Sequence, residues 1–163
     1  MATGSLIKID EEIVTSAVAS VTLTGIDSTY DVYMVKMNNV TPSVDARSIS
    51  LRVTKSGTAD TSANYDYAYM VLNSSGTFGK ASFTNDTEWQ YLVADGVGTG
   101  TSESANGIIY LYNFNSSSEY SFITSEVTEV NSSTTSRGNQ GGGVHTVASA
   151  SDGVIGLIQQ VAT

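Results

Sequence analysis

Acid–base or metal chemistry in this chain would have to begin at its single histidine, His145, which lies on the apparent strand "GVHTVAS". A histidine base needs a nucleophile or an orienting carboxylate beside it, and zinc usually takes more than one nitrogen or sulfur ligand. The chain has no cysteine, so zinc lacks a ligand set and His145 reads as structural or solvent-facing. No Gly-x-Ser-x-Gly elbow is present to suggest a serine hydrolase. A glycosidase needs two carboxylates across a cleft, and spacing in sequence does not set their separation. Calcium asks least, because loop carbonyls and one or two Asp or Asn side chains suffice. The loops that could offer them are "TGIDSTYD", with Asp27 and Asp31, and "VASASDG", with Asp152. Neither matches a known calcium-loop pattern, so the expectation is of no cofactor, with calcium the one metal the loops would suit.

"GNQGGGV", residues 138–144, resembles a phosphate cradle only superficially. It lacks the Gly-Lys-Ser/Thr ending, and no helix follows to place backbone donors behind an anion. It belongs to "NSSTTSRGNQGGG", residues 131–143, which has no apolar side chain and four glycines. This reads as the longest loop, and a loop of that length is more often functional or disordered than idle. Arg137, Asn139 and Gln140 are its candidate contact residues.

The aromatic residues are more informative. In "NYDYAYMVL", residues 64–72, Tyr65, Tyr67 and Tyr69 alternate, so on a strand they share one face with Val71. Trp89 with Tyr91, Tyr110 with Tyr112, and Tyr120 with Phe122 repeat the spacing. With only four phenylalanines, the core must draw on Trp89 and about half of the tyrosines. Exposed rows would instead anchor a protein interface or stack on sugar rings. Ala68, Met70 and Leu72 make the companion face of the Tyr65 row apolar too. A strand apolar on both faces needs core on one side and another layer or subunit on the other. "VYMVKM" has the same character, and oligomerisation accounts for both.

The elements that would position these residues are strands. Strict alternation recurs between Gly, Asn, Ser and Asp clusters, the pattern of an antiparallel all-β chain. "SISLRVT" is the clearest case, with Ile49, Leu51 and Val53 on one face and a wet face opposite. Other candidates cover residues 6–9, 17–23, 31–37, 65–72, 89–93, 108–112, 120–124, 144–148 and 154–158. About ten short strands suit a two-sheet, jelly-roll-like antiparallel sandwich. At 163 residues one domain is expected, spanning residues 17–163. Residues 1–16 stand apart as a short apolar strand followed by Asp10, Glu11 and Glu12, and read as an arm or an edge strand. Leu6, Ile7 and Ile9 are its candidate interface residues, alongside Tyr65, Tyr67 and Tyr69 on the body.

Charged residues make up 14% of the chain, with 16 acidic against 7 basic and a formal charge of −9. That is well below the ~25% charged content of ordinary soluble domains. With no basic cluster to neutralise phosphates, nucleic acid is not an expected partner. No basic leader precedes an apolar run and no 18-residue apolar stretch occurs, so the expectation is synthesis in a cytoplasm without a membrane partner. The Asn-x-Ser/Thr sequons are then by-products of a composition rich in those residues.

Three stretches taken in order resemble a known family. They are "VASVTLTGIDSTYDVYMVKMNNVTPSVDARSISLRVTKSGTADTSANYDYA", "NGIIYLYNFNSSSEYSFIT" and "GNQGGGVHTVASASDGV". Together they resemble small virion structural proteins of marine tailed bacteriophages, cyanophages among them, over most of residues 18–154. The closing "IGLIQQVAT" departs from that pattern. The resemblance implies a β-rich, non-enzymatic virion protein, made in the host cytoplasm and carried on the virion surface. Its partners would be other virion proteins and copies of itself, a trimer being favoured. Capsid decoration or cementing is the expected role. The alternative is a tail or fibre module that recognises a host glycan through the Tyr65 row or the residue 131–143 loop.

Overall fold

The computed structural model describes residues 6–158. Among them the regular structure is entirely β, in eleven strands: β1 (Ser20–Thr24), β2 (Val32–Val40), β3 (Arg47–Lys55), β4 (Thr58–Ala59), β5 (Tyr65–Asn73), β6 (Phe78–Asp86), β7 (Trp89–Val97), β8 (Ala105–Tyr112), β9 (Ser121–Val130), β10 (Ser136–His145) and β11 (Gly153–Ile158). They form two antiparallel sheets facing each other, as the alternation predicts. One has the order β1-β11-β3, with β4 and β7 both pairing with β3. The other is six-stranded, in the order β2-β8-β9-β10-β5-β6.

The main core lies between the sheets. Leu51 and Val53 of β3, Trp89 and Leu92 of β7, Ile109 and Leu111 of β8, and Ile123 of β9 meet there with Tyr65 and Tyr67. A second cluster, Ile49, Val93, Val97, Ala105 and Val127, extends it towards the end of β7. β7 pairs irregularly with β3, with register shifts on both sides of Ile49, and reaches the opposite sheet through a bridge between Val97 and Asn131.

The β3 outer face, expected to be wet, is covered. Ser48, Ser50 and Thr54 are buried along with the apolar residues. The cover comes from Thr87 and Glu88: Arg52 Nε donates to the Thr87 carbonyl at 2.9 Å, and Arg52 pairs with Glu88 at 3.1 Å. Arg52 thus has protein partners on this face, as does Thr54, whose Oγ1 donates to Asp152 Oδ1 at 2.7 Å.

A larger correction concerns residues 131–143. The loop is only residues 131–135, closed by the Asn131 side chain, whose Oδ1 accepts from the amides of Ser133 and Thr135. Arg137, Asn139 and Gln140 are not loop residues. They lie on β10, a central strand hydrogen-bonded to β9 and β5 along its whole length. A strand this rich in glycine holds because other strands fill its space. A Cβ at Gly141 would lie 2.4 Å from the Tyr67 hydroxyl, and one at Gly143 2.7 Å from the Trp89 indole. Two large rings therefore rest on bare backbone.

β6, which the period-two reading passed over, completes the sheet as an edge strand beside β5. The expected strand at residues 6–9 does not form; residues 6–19 carry no regular structure. This arm touches the body where Asp10 Oδ2 accepts from the Thr24 amide at 2.8 Å. Ile9 sits beside it against Gly25, 2.8 Å from where a Cβ would be, and Gly25 has φ of +86°.

Candidate functional site: an apolar arm and an open sheet face

His145 ends β10 and is fully buried. Its ring packs on Tyr65, with centroids 4.7 Å apart, and Nε2 lies 3.4 Å from Asp60 Oδ2. Burial lowers its pKa, and the neighbouring Asp60 only partly offsets this, so the neutral imidazole is the native form. Burial would raise the Asp60 carboxyl, yet hydrogen bonds from Ser62 and Lys55 outweigh it and hold the group well below the usual carboxylate range. A buried neutral histidine without a hydroxyl on its nitrogens has no substrate to work on.

The remaining carboxylates of interest serve the fold. Asp152 accepts from Thr54 Oγ1 at 2.7 Å and from the Gly57 amide at 2.9 Å. Asp27 Oδ1 accepts from the Thr29 amide and the Tyr33 hydroxyl. Each calcium-candidate loop thus spends a principal carboxylate on protein donors. Among the described residues no group of three or more His, Asp or Glu side chains is gathered as a metal site. Between the two sheets, Asn139 of β10 links Glu129 Oε1 of β9, at 3.4 Å, to the Ala94 amide of β7, at 3.3 Å. Asn139 and Glu129 are both buried, so neither is a surface contact.

Two of the three interface residues proposed on the body, Tyr65 and Tyr67, are also core. Tyr65 is fully buried, and its hydroxyl donates to the Asp60 carbonyl at 2.8 Å and accepts from the Val53 amide at 3.3 Å. Tyr67 is buried, bonded to Ser125 Oγ at 2.9 Å, and burial pushes its pKa up to about 12. Tyr69 is half-buried in a cluster with Tyr67, Phe83 and Tyr91. Tyr65 and Tyr67 thus face the opposite sheet within the core, and Tyr69 packs at its margin.

Two surfaces are available. The first is the arm, where Leu6, Ile7, Ile9, Ile13, Val14 and Val18 are exposed. Leu6 is 82% and Ile13 75% exposed, so the body covers neither.

The second surface is the outer face of the six-stranded sheet. Antiparallel register places side chains in cross-strand rows. One row is Val32, Tyr112, Phe122, Val144 and Asp66. The next is Met34, Tyr110, Thr124, Gly142, Ala68 and Ser82, and the third is Lys36, Ile108, Glu126, Gln140, Met70 and Lys80. A fourth runs Asn106, Thr128, Gly138, Leu72 and Phe78. Val32, Tyr110 and Phe122 are each 40–49% exposed. Two shallow depressions mark the face, one lined by Ala68, Met70, Lys80 and Gln140 and the other by Lys36, Ile108, Glu126, Gly138 and Leu72. The double-faced apolar character of "VYMVKM" and "NYDYAYMVL" was the sequence signal for this surface. Tyr110 and Phe122 were visible only as aromatic pairs without a side assigned.

No protein family, curated protein or solved structure matches this chain.

Proposed function

We propose that this chain is a non-enzymatic structural subunit of a bacteriophage particle, a decoration or cement protein that binds the head surface and neighbouring copies of itself. The arm is the observation that carries the reading. Six apolar side chains between Leu6 and Val18 stand exposed on a segment fixed to the body at the Asp10–Thr24 contact. Exposed apolar surface of this kind is covered by a partner in ordinary use, and an extended arm suits adhesion along a neighbouring sheet edge or groove. The resemblance to small phage virion proteins supports the same role.

The chemistry of the body agrees with adhesion. Its histidine is buried, the carboxylates of Asp27 and Asp152 hold loops together, and its arm and open sheet face expose apolar side chains. Host-glycan recognition rested on the Tyr65 row and a long glycine loop. Of the residues assigned to that alternative, Tyr65, Tyr67 and Asn139 are buried, whereas Gln140 stands on the open sheet face.

The test is reconstitution on heads of the encoding phage that lack this protein. Full-length protein should bind saturably and raise the temperature at which heads release their contents, and a chain lacking residues 1–16 should fold but not bind. Heads that neither bind nor gain stability, or equal binding by the truncated chain, would overturn the proposal.

A further inference from the structure

We infer that the open sheet face around β8 packs against the same face of a second copy, about a two-fold axis running along β8. Such an axis keeps β8 opposite itself and exchanges β2 with β9. Tyr110, Tyr112 and Ile108 then each face their own counterpart. In the first row Val32 meets Phe122, in the second Met34 meets Thr124, and in the third Lys36 meets Glu126 of the other copy. The face is therefore self-complementary, as a two-fold interface requires.

Charge selects this axis over its competitors. Within one chain Lys36 and Glu126 lie on either side of Ile108, and no ion pair joins them among the described residues. Across two sheets packed ~10 Å apart, side chains from opposite faces meet, and each copy's Lys36 falls over the other's Glu126. An axis through the middle of the sheet, between β9 and β10, would instead set Lys36 against Lys80 and Tyr112 against Asp66. Like charges opposed in an interface are costly. Of the two, the β8 axis is the one that sets apolar against apolar in the first row and the basic residue against the acidic one in the third.

The contact spans three strands and about eight residues, roughly 14 Å by 27 Å. Counted on both copies this is about 750 Å², below the ~1,200 Å² of a stable specific interface, so the pair is a weak, transient one. This association uses neither the arm nor a phage head. It can hold or fail independently of the role proposed above.

Sedimentation equilibrium of the full chain over a wide concentration range tests it. Wild type should fit a monomer–dimer equilibrium. Lys36→Glu and Glu126→Lys should each weaken association about tenfold, the double reversal should restore it, and Tyr110→Asp should abolish it. Unchanged circular dichroism will confirm that these surface variants fold. A monomer at every concentration, a trimer, or single reversals without effect would overturn the inference. So would a double reversal that fails to restore pairing, or a monomer that uses Tyr110 to bind a polysaccharide.

Discussion

The indole of Trp89 occupies the space that a side chain at Gly143 would need: a Cβ there would stand 2.7 Å from the ring. Trp89 is fully buried between the sheets and donates through its indole nitrogen to the Val144 carbonyl at 3.3 Å. Ring and strand therefore cannot move apart without losing both packing and a hydrogen bond.

Gly143→Ala should destabilise the protein by about 1–3 kcal/mol, the usual cost of overpacking a core that cannot give way. Gly142→Ala is the control. Its Cβ would point to the open face with nothing closer than 3.6 Å, and urea unfolding should find it neutral or slightly stabilising. Equal losses at the two positions would contradict the packing account of β10.

Tyr65→Phe removes one hydroxyl that serves two backbone groups, the Asp60 carbonyl and the Val53 amide. With these groups left unpaired in the interior, stability should fall by about 1–3 kcal/mol. Association measured by sedimentation should not change. Weaker association at full stability would return Tyr65 to an interface.

The pH dependence follows from His145. Burial lowers its folded-state pKa beneath the ordinary 6.5, so below that pH the unfolded chain takes up a proton that the native chain does not. The contribution is fully present above 6.5 and is lost as pH falls from there towards the folded-state value. Asp60, also lowered, adds a second loss beginning near the ordinary carboxylate range at 3.8. Urea midpoints measured from pH 7.5 to 4.5 should decline below about 6.5. His145→Gln should flatten that limb whatever its absolute stability. An unchanged slope in the variant would place the titrating group elsewhere.

Asp10 sets where the arm leaves the body. Hydrogen bonds from the backbone amides of Thr24 and Glu11 hold its carboxyl below the ordinary value. Asp10→Ala should speed trypsin cleavage after Lys8 severalfold, with the melting temperature of the body unchanged, because the contact is at the surface. Identical cleavage rates would mean that the arm is held by Ile9 on Gly25 alone.

The all-β class and most of the strands are legible in the local sequence. Side chains on a strand alternate whatever it pairs with, so "SISLRVT", "NYDYAYMVL" and "GIIYLY" announce themselves locally, and Gly, Asn and Ser clusters mark their ends. Alternation also put Tyr65, Tyr67 and Tyr69 on one face and Met70 and Leu72 on the other. It did not say which face lies inside, because a one-residue change of orientation exchanges core and surface.

That choice belongs to the tertiary structure. In β9, Ser121, Ser125 and Glu129 point inward while Phe122 points out, because Tyr67 reaches across to Ser125 and little volume remains on the inner side. The glycines of β10 have no side chains to display a period, so their signal as a strand resides in Tyr67 and Trp89, on two other strands. Leu6, Ile7 and Ile9 have the right apolar character but pair with none of the body's edge strands, and remain an arm. Local sequence encodes the direction of a side chain, whereas burial depends on what the rest of the chain places opposite it.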